Sequence, residues 1–316
     1  MDRFQPIIDK LNNFMLGHLR SRRIMLDTAV NDLVNGGGKR VRPLLLILAG
    51  EFGDGDNNKL LPIAAGVEFL HMATLIHDDI IDEAELRRGK VTAQEKFGKN
   101  VAVFVGDFLL SKAYTLFANY LSRESLLRLN KVVNLVCIGE IDQFEGKYNT
   151  DLSINDYLKR IRRKTALLFA ISSYIGAYET GVRGRNLHYL YKFALEIGMA
   201  FQIQDDLLDF TGKKSKIGKE IGQDLITGIY TLPIILLFKK NNYKKRAAYL
   251  LSKEYIGDSE ICEIKKLLLE SGILLDSKNI AERFLRRAEK YLDRLPENKV
   301  KEELKYILDC QLTRKR

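Results

Sequence analysis

Long apolar runs are missing from this sequence. The most continuous, residues 44–49 and residues 232–238 with Pro233 among them, fall far short of the ~20 residues a membrane-spanning helix needs, so no transmembrane segment is expected. The start, Met1-Asp2-Arg3-Phe4-Gln5-Pro6, has an early acid and no apolar stretch leading to small residues. That is unlike a secretory signal, and a cytoplasmic protein is expected. Cysteine is scarce as well: Cys137, Cys262 and Cys310 are odd in number and widely spaced, which argues against a zinc site or a disulfide framework and for reduced structural thiols.

Proline is also rare, with 5 in 316 residues. Long segments between breaks carry apolar residues at three- and four-residue spacing, as in Val67, Leu70, Thr74 and Leu75, and again in Tyr189, Phe193, Leu195 and Ile197. This period belongs to helices. Residues 130–138 are β-branched enough for a strand, but Glu140 and Gln143 continue a helical spacing, and a helix is expected there too. Gly-rich or polar breaks at residues 36–38, 53–58, 181–184, 212–222 and 239–243 separate the helices. At a typical length of about 10–14 residues there should be roughly ten or more of them. No repeat of solenoid period and no low-complexity linker divides the chain, so one all-α domain over residues 1–316 is expected.

The formal charge of +10 fits a nucleic acid, an anionic membrane surface, an anionic substrate or simply a solvated basic face. Its placement says more. Lys213, Lys214, Lys216 and Lys219 follow an acidic cluster, and the end reads Arg314-Lys315-Arg316. No zinc-finger, RNP or leucine-zipper pattern accompanies them, so nucleic acid is not an expected partner.

The strongest local signal is His77-Asp78-Asp79-Ile80-Ile81-Asp82. Residues i and i+4 share a helix face, so Asp78 and Asp82 project together with Asp79 beside them. Carboxylates this close repel unless a cation offsets them. Magnesium suits an open helix face, because it takes one or two carboxylates and completes its shell with water and substrate phosphates. A single such cluster is usually a solvated surface. Here the pattern recurs at Gln204-Asp205-Asp206-Leu207-Leu208-Asp209, and each copy is followed by cations, Arg87-Arg88 and then Lys213, Lys214 and Lys219. Two matching clusters followed by basic residues suit a bridged polyphosphate.

At this point the chain resembles the trans-isoprenyl diphosphate synthase family, medium- or long-chain type. The resemblance runs through Gly37-Gly38-Lys39-Arg40-Val41-Arg42-Pro43, residues 68–82, Arg87-Arg88-Gly89, Gly106-Asp107, Lys164-Thr165, residues 201–209 and residues 218–233. It implies an isoprenoid-synthase helical bundle around a large central cavity, and transfer of an allylic diphosphate onto isopentenyl diphosphate. It further implies three magnesium ions, two on Asp78, Asp82 and Asp79 and one on Asp205 with its neighbours Asp206 and Asp209. Lys39, Arg42, His71 and Arg88 would serve isopentenyl diphosphate, and Arg87, Lys164, Gln202 and Lys219 the allylic diphosphate, with Thr165 near the reacting centre. One departure stands out: Ile229 occupies a segment where many relatives carry lysine or asparagine.

The chemistry needs a diphosphate to leave an allylic carbon, with cations neutralising its charge and water kept out. A helical bundle can store the growing tail in an apolar interior. Ala73 and Thr74, five and four residues before Asp78, are small where short-chain members of the family carry aromatic side chains, which implies a longer product. Phe117 and Tyr120 are weaker candidates for the floor of the tail cavity. A class I terpene cyclase would carry a different second metal motif, and a regulatory subunit would lack intact acidic clusters. A catalytic subunit acting with a separate small subunit stays open beside the homodimer that the resemblance implies, as does peripheral membrane contact for product release.

Overall fold

The computed structural model describes residues 2–87, 89–211, 222–253 and 255–312. Arg88, Lys213, Lys214, Lys216, Lys219 and Arg314-Lys315-Arg316, all singled out above, lie outside the described residues. The described chain is helical apart from a two-stranded antiparallel hairpin, Leu86–Arg87 with Lys90–Val91. That hairpin follows the first acidic cluster directly and turns Arg87 back toward it.

The helices are α1 (Gln5–His18), α2 (Ile24–Asn35), α3 (Val41–Gly50), α4 (Asn57–Ile81), α5 (Ala93–Phe97), α6 (Lys99–Tyr120), α7 (Arg123–Glu145) and α8 (Ile154–Ile161). A π-helical turn, Arg162–Ala166, leads into α9 (Leu167–Glu179) and α10 (Gly184–Thr211). The chain continues through α11 (Gln223–Ile226), α12 (Leu232–Lys239), α13 (Asn241–Leu251), α14 (Asp258–Glu270), α15 (Ile273–Leu292) and α16 (Lys299–Leu312). Residues 130–138 lie within α7, as their spacing predicts.

Local chemistry sets several of these boundaries. Asp56 accepts the Asn58 N–H at the start of α4, Ser122 accepts that of Ser125 at the start of α7, and Ser153 with Asp156 forms a capping box on α8. Each satisfies backbone donors that the first turn of a helix leaves without partners.

α4 runs through the interior and buries Leu60, Ile63, Ala64, Val67, Phe69, Leu70, Ala73 and Ile76. α6 lies antiparallel against it. A Cβ added at Gly106 would sit 2.3 Å from His77 Nε2, and one at Gly66 2.6 Å from Phe117 Cε1. On the other side, α3 and α9 approach until a Cβ on Gly176 would lie 1.9 Å from Leu46 O. A second apolar cluster joins α3, α9, α10, α15 and α16 through Leu45, Phe169, Phe193, Leu285 and Leu308. By length and composition two helical segments, Asn58–Ile81 and Lys99–Tyr120, could cross a bilayer, which the short runs in the sequence did not suggest. The first is mostly core; of the second, 39% of its apolar window is buried.

Candidate active site

Both acidic clusters stand at the C-terminal ends of their helices, α4 and α10. The helix dipole is negative there, so it adds to the repulsion among the carboxylates. The two clusters are built alike. The i, i+4 pair lies on the more accessible face: Asp78 and Asp82 are half-buried, Asp205 is exposed and Asp209 half-buried. The second aspartate of each cluster turns into the protein, Asp79 at 6% exposure and Asp206 at 7%.

What those inner aspartates bind differs. Arg87 Nε donates to Asp79 Oδ1 and Oδ2 at 2.7 and 2.8 Å. Asp206 accepts from Tyr157 OH at 2.6 Å and from Gln202 Nε2 at 2.8 Å. Burial, with Asp224 adding to it, pushes the Asp206 carboxyl up to about 7, against the two hydrogen bonds that favour its ionised form. Asp79 and Asp206, expected to share in metal binding, are thus each also engaged by protein donors.

The π-helical turn joins the clusters. Its Lys164 Nζ lies 3.9 Å from Asp78 Oδ2, while the adjacent Thr165 donates its hydroxyl to Gln202 Oε1 at 2.7 Å. Two glycines let neighbouring helices close on this turn. A Cβ at Gly139 of α7 would lie 3.0 Å from Lys164 N, and one at Gly198 of α10 2.7 Å from Ala166 Cα. π-turns of this kind occur often at functional sites.

α7 also supplies Glu140, which accepts from Lys164 Nζ at 2.6 Å. Burial pulls the Lys164 ammonium down, but Asp78 and Glu140 outweigh it and hold the group above its ordinary value. Burial raises Asp78, Lys164 opposes that rise and Asp82 reinforces it. Glu140 is raised in the same way, by burial first, against the pull of Lys164. The site thus concentrates carboxylates that burial and mutual repulsion make costly to ionise.

A third group sits where the loop of residues 36–40 enters α3, beside α4. Arg42 Nη1 meets His71 Nε2 at 2.9 Å, and its guanidinium lies 4.5 Å from the centre of the Phe169 ring. Lys39 is exposed on the loop that leads into α3. The loop is held from beneath by Arg40, left-handed at φ 46° and 5% exposed. Its guanidinium reaches Glu68 Oε1 (2.6 Å), Val34 O (2.7 Å) and Asn12 Oδ1 (3.2 Å). The sequence motif contained Arg40, but only the structure reveals this anchoring.

Ala73 is buried on α4, and the Thr74 hydroxyl donates to His71 O at 2.8 Å. Two turns nearer the start of α4, the fully buried Phe117 ring lies over Gly66, about 18 Å along the helix from Asp78. Tyr120 is 38% exposed and so does not face the core as Phe117 does. Ile229 is buried, and its backbone N–H donates to Asp224 O.

The structure therefore brings together Asp78, Lys164, Thr165, Gln202 and Asp206, and separately Arg42 with His71. Sequence reasoning missed Glu140, Tyr157 and Arg160. Arg160 is buried and donates from Nη2 to Tyr230 O at 2.7 Å. Their partners lie 24, 49 and 70 residues away in the chain, so no local pattern marks them.

Residues 23–268 match the family model described as polyprenyl synthetase, and the chain belongs to that family. It is 36% identical over 302 residues to heptaprenyl diphosphate synthase component 2 of Bacillus subtilis (strain 168), covering 95% of this chain and 86% of that protein. To octaprenyl diphosphate synthase of Haemophilus influenzae it is 32% identical over 300 residues, covering 95% and 91%. Among solved structures, heptaprenyl diphosphate synthase from Staphylococcus aureus superposes with a TM-score of 0.94 at 32% identity, over 99% of each chain. A polyprenyl synthase from Caulobacter crescentus, complexed with calcium and isoprenyl diphosphate, gives 0.91 at 31% identity over 100% of this chain and 97% of that one. The expected all-α isoprenoid-synthase fold and prenyltransferase class are thereby established.

Proposed function

We propose that this chain is a magnesium-dependent trans-prenyltransferase that condenses isopentenyl diphosphate with an allylic diphosphate to a medium- or long-chain polyprenyl diphosphate. The carrying observation is the π-turn, whose Lys164 reaches the first acidic cluster directly and whose Thr165 reaches the second through Gln202.

The residues present fit a divalent metal. Among the described residues no three acidic, histidine or cysteine groups converge to hold an ion by themselves. That suits magnesium, which takes few protein ligands and completes its shell from phosphate and water. Asp78 with Asp82 would hold two ions and Asp205 with Asp209 a third. Bound there, the metal acts as a Lewis acid toward the diphosphate leaving group.

The chain's own groups do the rest. Lys164, kept charged by Asp78 and Glu140, offers a cation beside the departing diphosphate. Arg42 with His71, and Lys39 beside them, would bind the isopentenyl diphosphate. Arg87 and Gln202, together with Lys219 and Arg88 outside the described residues, would complete the diphosphate contacts. Thr165 would lie beside the reacting carbons. The apolar interior around Ala73 and Phe117 would keep water from the allylic cation and receive the tail.

Large apolar side chains stand exposed on α6 and α7, including Phe104 at 69%, Ile141 at 56% and Phe144 at 65%. Such surface commonly marks an interface, and we assign it to a homodimer. The name of the Bacillus relative, component 2 of a synthase, favours a second reading in which the chain acts with another subunit. The three free cysteines agree with a reducing compartment, the cytoplasm.

The test is incubation of the purified chain with isopentenyl and farnesyl diphosphates, with magnesium or with chelator, and products resolved by length. A magnesium-dependent ladder ending in a long prenyl chain supports the reading. A cyclic hydrocarbon overturns it, and turnover only after a second subunit is added moves it to the heteromeric form.

A further inference from the structure

Tyr157 sits on α8 with its side chain 1% exposed, and its hydroxyl donates to Asp206 Oδ2 at 2.6 Å. Asp206 Oδ1 accepts from Gln202 Nε2 at 2.8 Å, and Gln202 Oε1 accepts from Thr165 Oγ1 at 2.7 Å. The direction of this chain of hydrogen bonds is constrained. Gln202 turns its amide nitrogen toward Asp206 and its oxygen toward Thr165, the arrangement that the ionised form of Asp206, with acceptor sites only, enforces. Thr165 must then donate, and the lone pairs of its hydroxyl are what remain for a substrate on the Lys164 side.

We infer that Tyr157 is a positioning residue for prenyl transfer: by holding the far oxygen of Asp206 it fixes the Gln202 amide, and through it the orientation of the Thr165 hydroxyl. This rests on the reading of Thr165 as a neighbour of the reacting carbons. Tyr157 itself touches no substrate; it acts through two intervening side chains. The helix that carries it has other anchors, namely the Ser153–Asp156 capping box and the Arg160 bond to Tyr230 O. Removing the hydroxyl alone therefore tests the hydrogen-bond relay rather than the seating of α8.

The experiment is steady-state kinetics of Tyr157→Phe with isopentenyl and farnesyl diphosphates. A fall of about tenfold in kcat is expected, with both KM values within about twofold and the melting temperature nearly unchanged. A structural role alone would not produce the second expectation: in a Thr165→Val background the same substitution should change kcat less than about twofold, since the relay then ends on nothing. Asp206→Asn is the alternative if Tyr157→Phe folds poorly. The new amide can donate to Gln202 and reverse the relay, so its kcat loss should exceed about tenfold at similar KM. Wild-type kcat in either single variant, or equal losses with and without Thr165, would overturn the inference. A wild-type enzyme with no turnover would instead strike at the functional reading, which keeps the two failures apart.

Discussion

Arg87 grips Asp79 through three contacts, Nε at 2.7 and 2.8 Å from the two carboxylate oxygens and Nη2 at 2.7 Å from Oδ1. Within one acidic cluster, adjacent aspartates thus serve different ends: Asp79 holds an arginine, while Asp78 keeps its carboxylate beside Lys164. Asp78→Asn is expected to lower kcat/KM by roughly 100-fold or more and to raise the magnesium needed for half-saturation. Asp79→Asn should leave the magnesium requirement within about threefold while lowering kcat/KM about tenfold, because Arg87 loses its charged support. Equal magnesium shifts in both variants would place Asp79 in the metal set with Asp78.

Glu140 keeps Lys164 from settling on Asp78. In Glu140→Gln the ammonium loses its nearer anion, 2.6 Å away, and Asp78 at 3.9 Å becomes its remaining partner. Lys164 should then compete with metal for that carboxylate. The half-saturating magnesium concentration is expected to rise about tenfold, measured by titration at fixed substrate.

Acidity should act on the same pair. Asp78 and Glu140 are both held above the ordinary carboxylate range, by burial first. Protons therefore compete for these groups at a higher pH than they would for a free carboxylate. Magnesium affinity should weaken as pH falls toward the ordinary carboxylate range, with the loss beginning above that range, and weaken less in Glu140→Gln, where one of the two titrating groups is gone.

Product length is expected to follow the α4–α6 seam. Ala73→Phe fills a buried position five residues before Asp78 and should shorten the product. Phe117→Ala removes the ring over Gly66 and should lengthen it, at a stability cost of about 3–5 kcal/mol for a large core truncation. Chromatography of the dephosphorylated products reads both. An unchanged distribution in Ala73→Phe would remove that residue from the account.

Gly176 lets α9 close on the α3 backbone. Because a Cβ there would meet Leu46 O, a backbone atom, at 1.9 Å, no side-chain rotation can relieve the clash. Gly176→Ala should destabilise the fold by about 1–3 kcal/mol, read as a lowered melting temperature.

Much of this architecture was readable in advance. The three- and four-residue spacing around Val67 and Leu70 gave α4, and the i, i+4 rule placed Asp78 with Asp82 and Asp205 with Asp209 on common faces. The same rule sets Asp79 and Asp206 about 100° aside. Their flanking residues Ile76, Ile80, Ile203 and Phe210 mark that side as core-facing, which the burial of both aspartates matches. Tyr157 could not be found this way, since its partner lies 49 residues away and the sequence between them gives no register for the meeting. The π-turn was hidden for a different reason: its residues read as ordinary helix formers, and the glycines packed against it, Gly139 and Gly198, lie on other helices.

Arg40 carries a further consequence. Its left-handed backbone and its buried bonds to Glu68, Val34 and Asn12 fix the loop bearing Lys39, and the start of α3 bearing Arg42, before any ligand arrives. An anion docking there meets a finished surface, so its capture should proceed in one kinetic phase. It should also show little of the heat-capacity change that accompanies a segment folding around its guest.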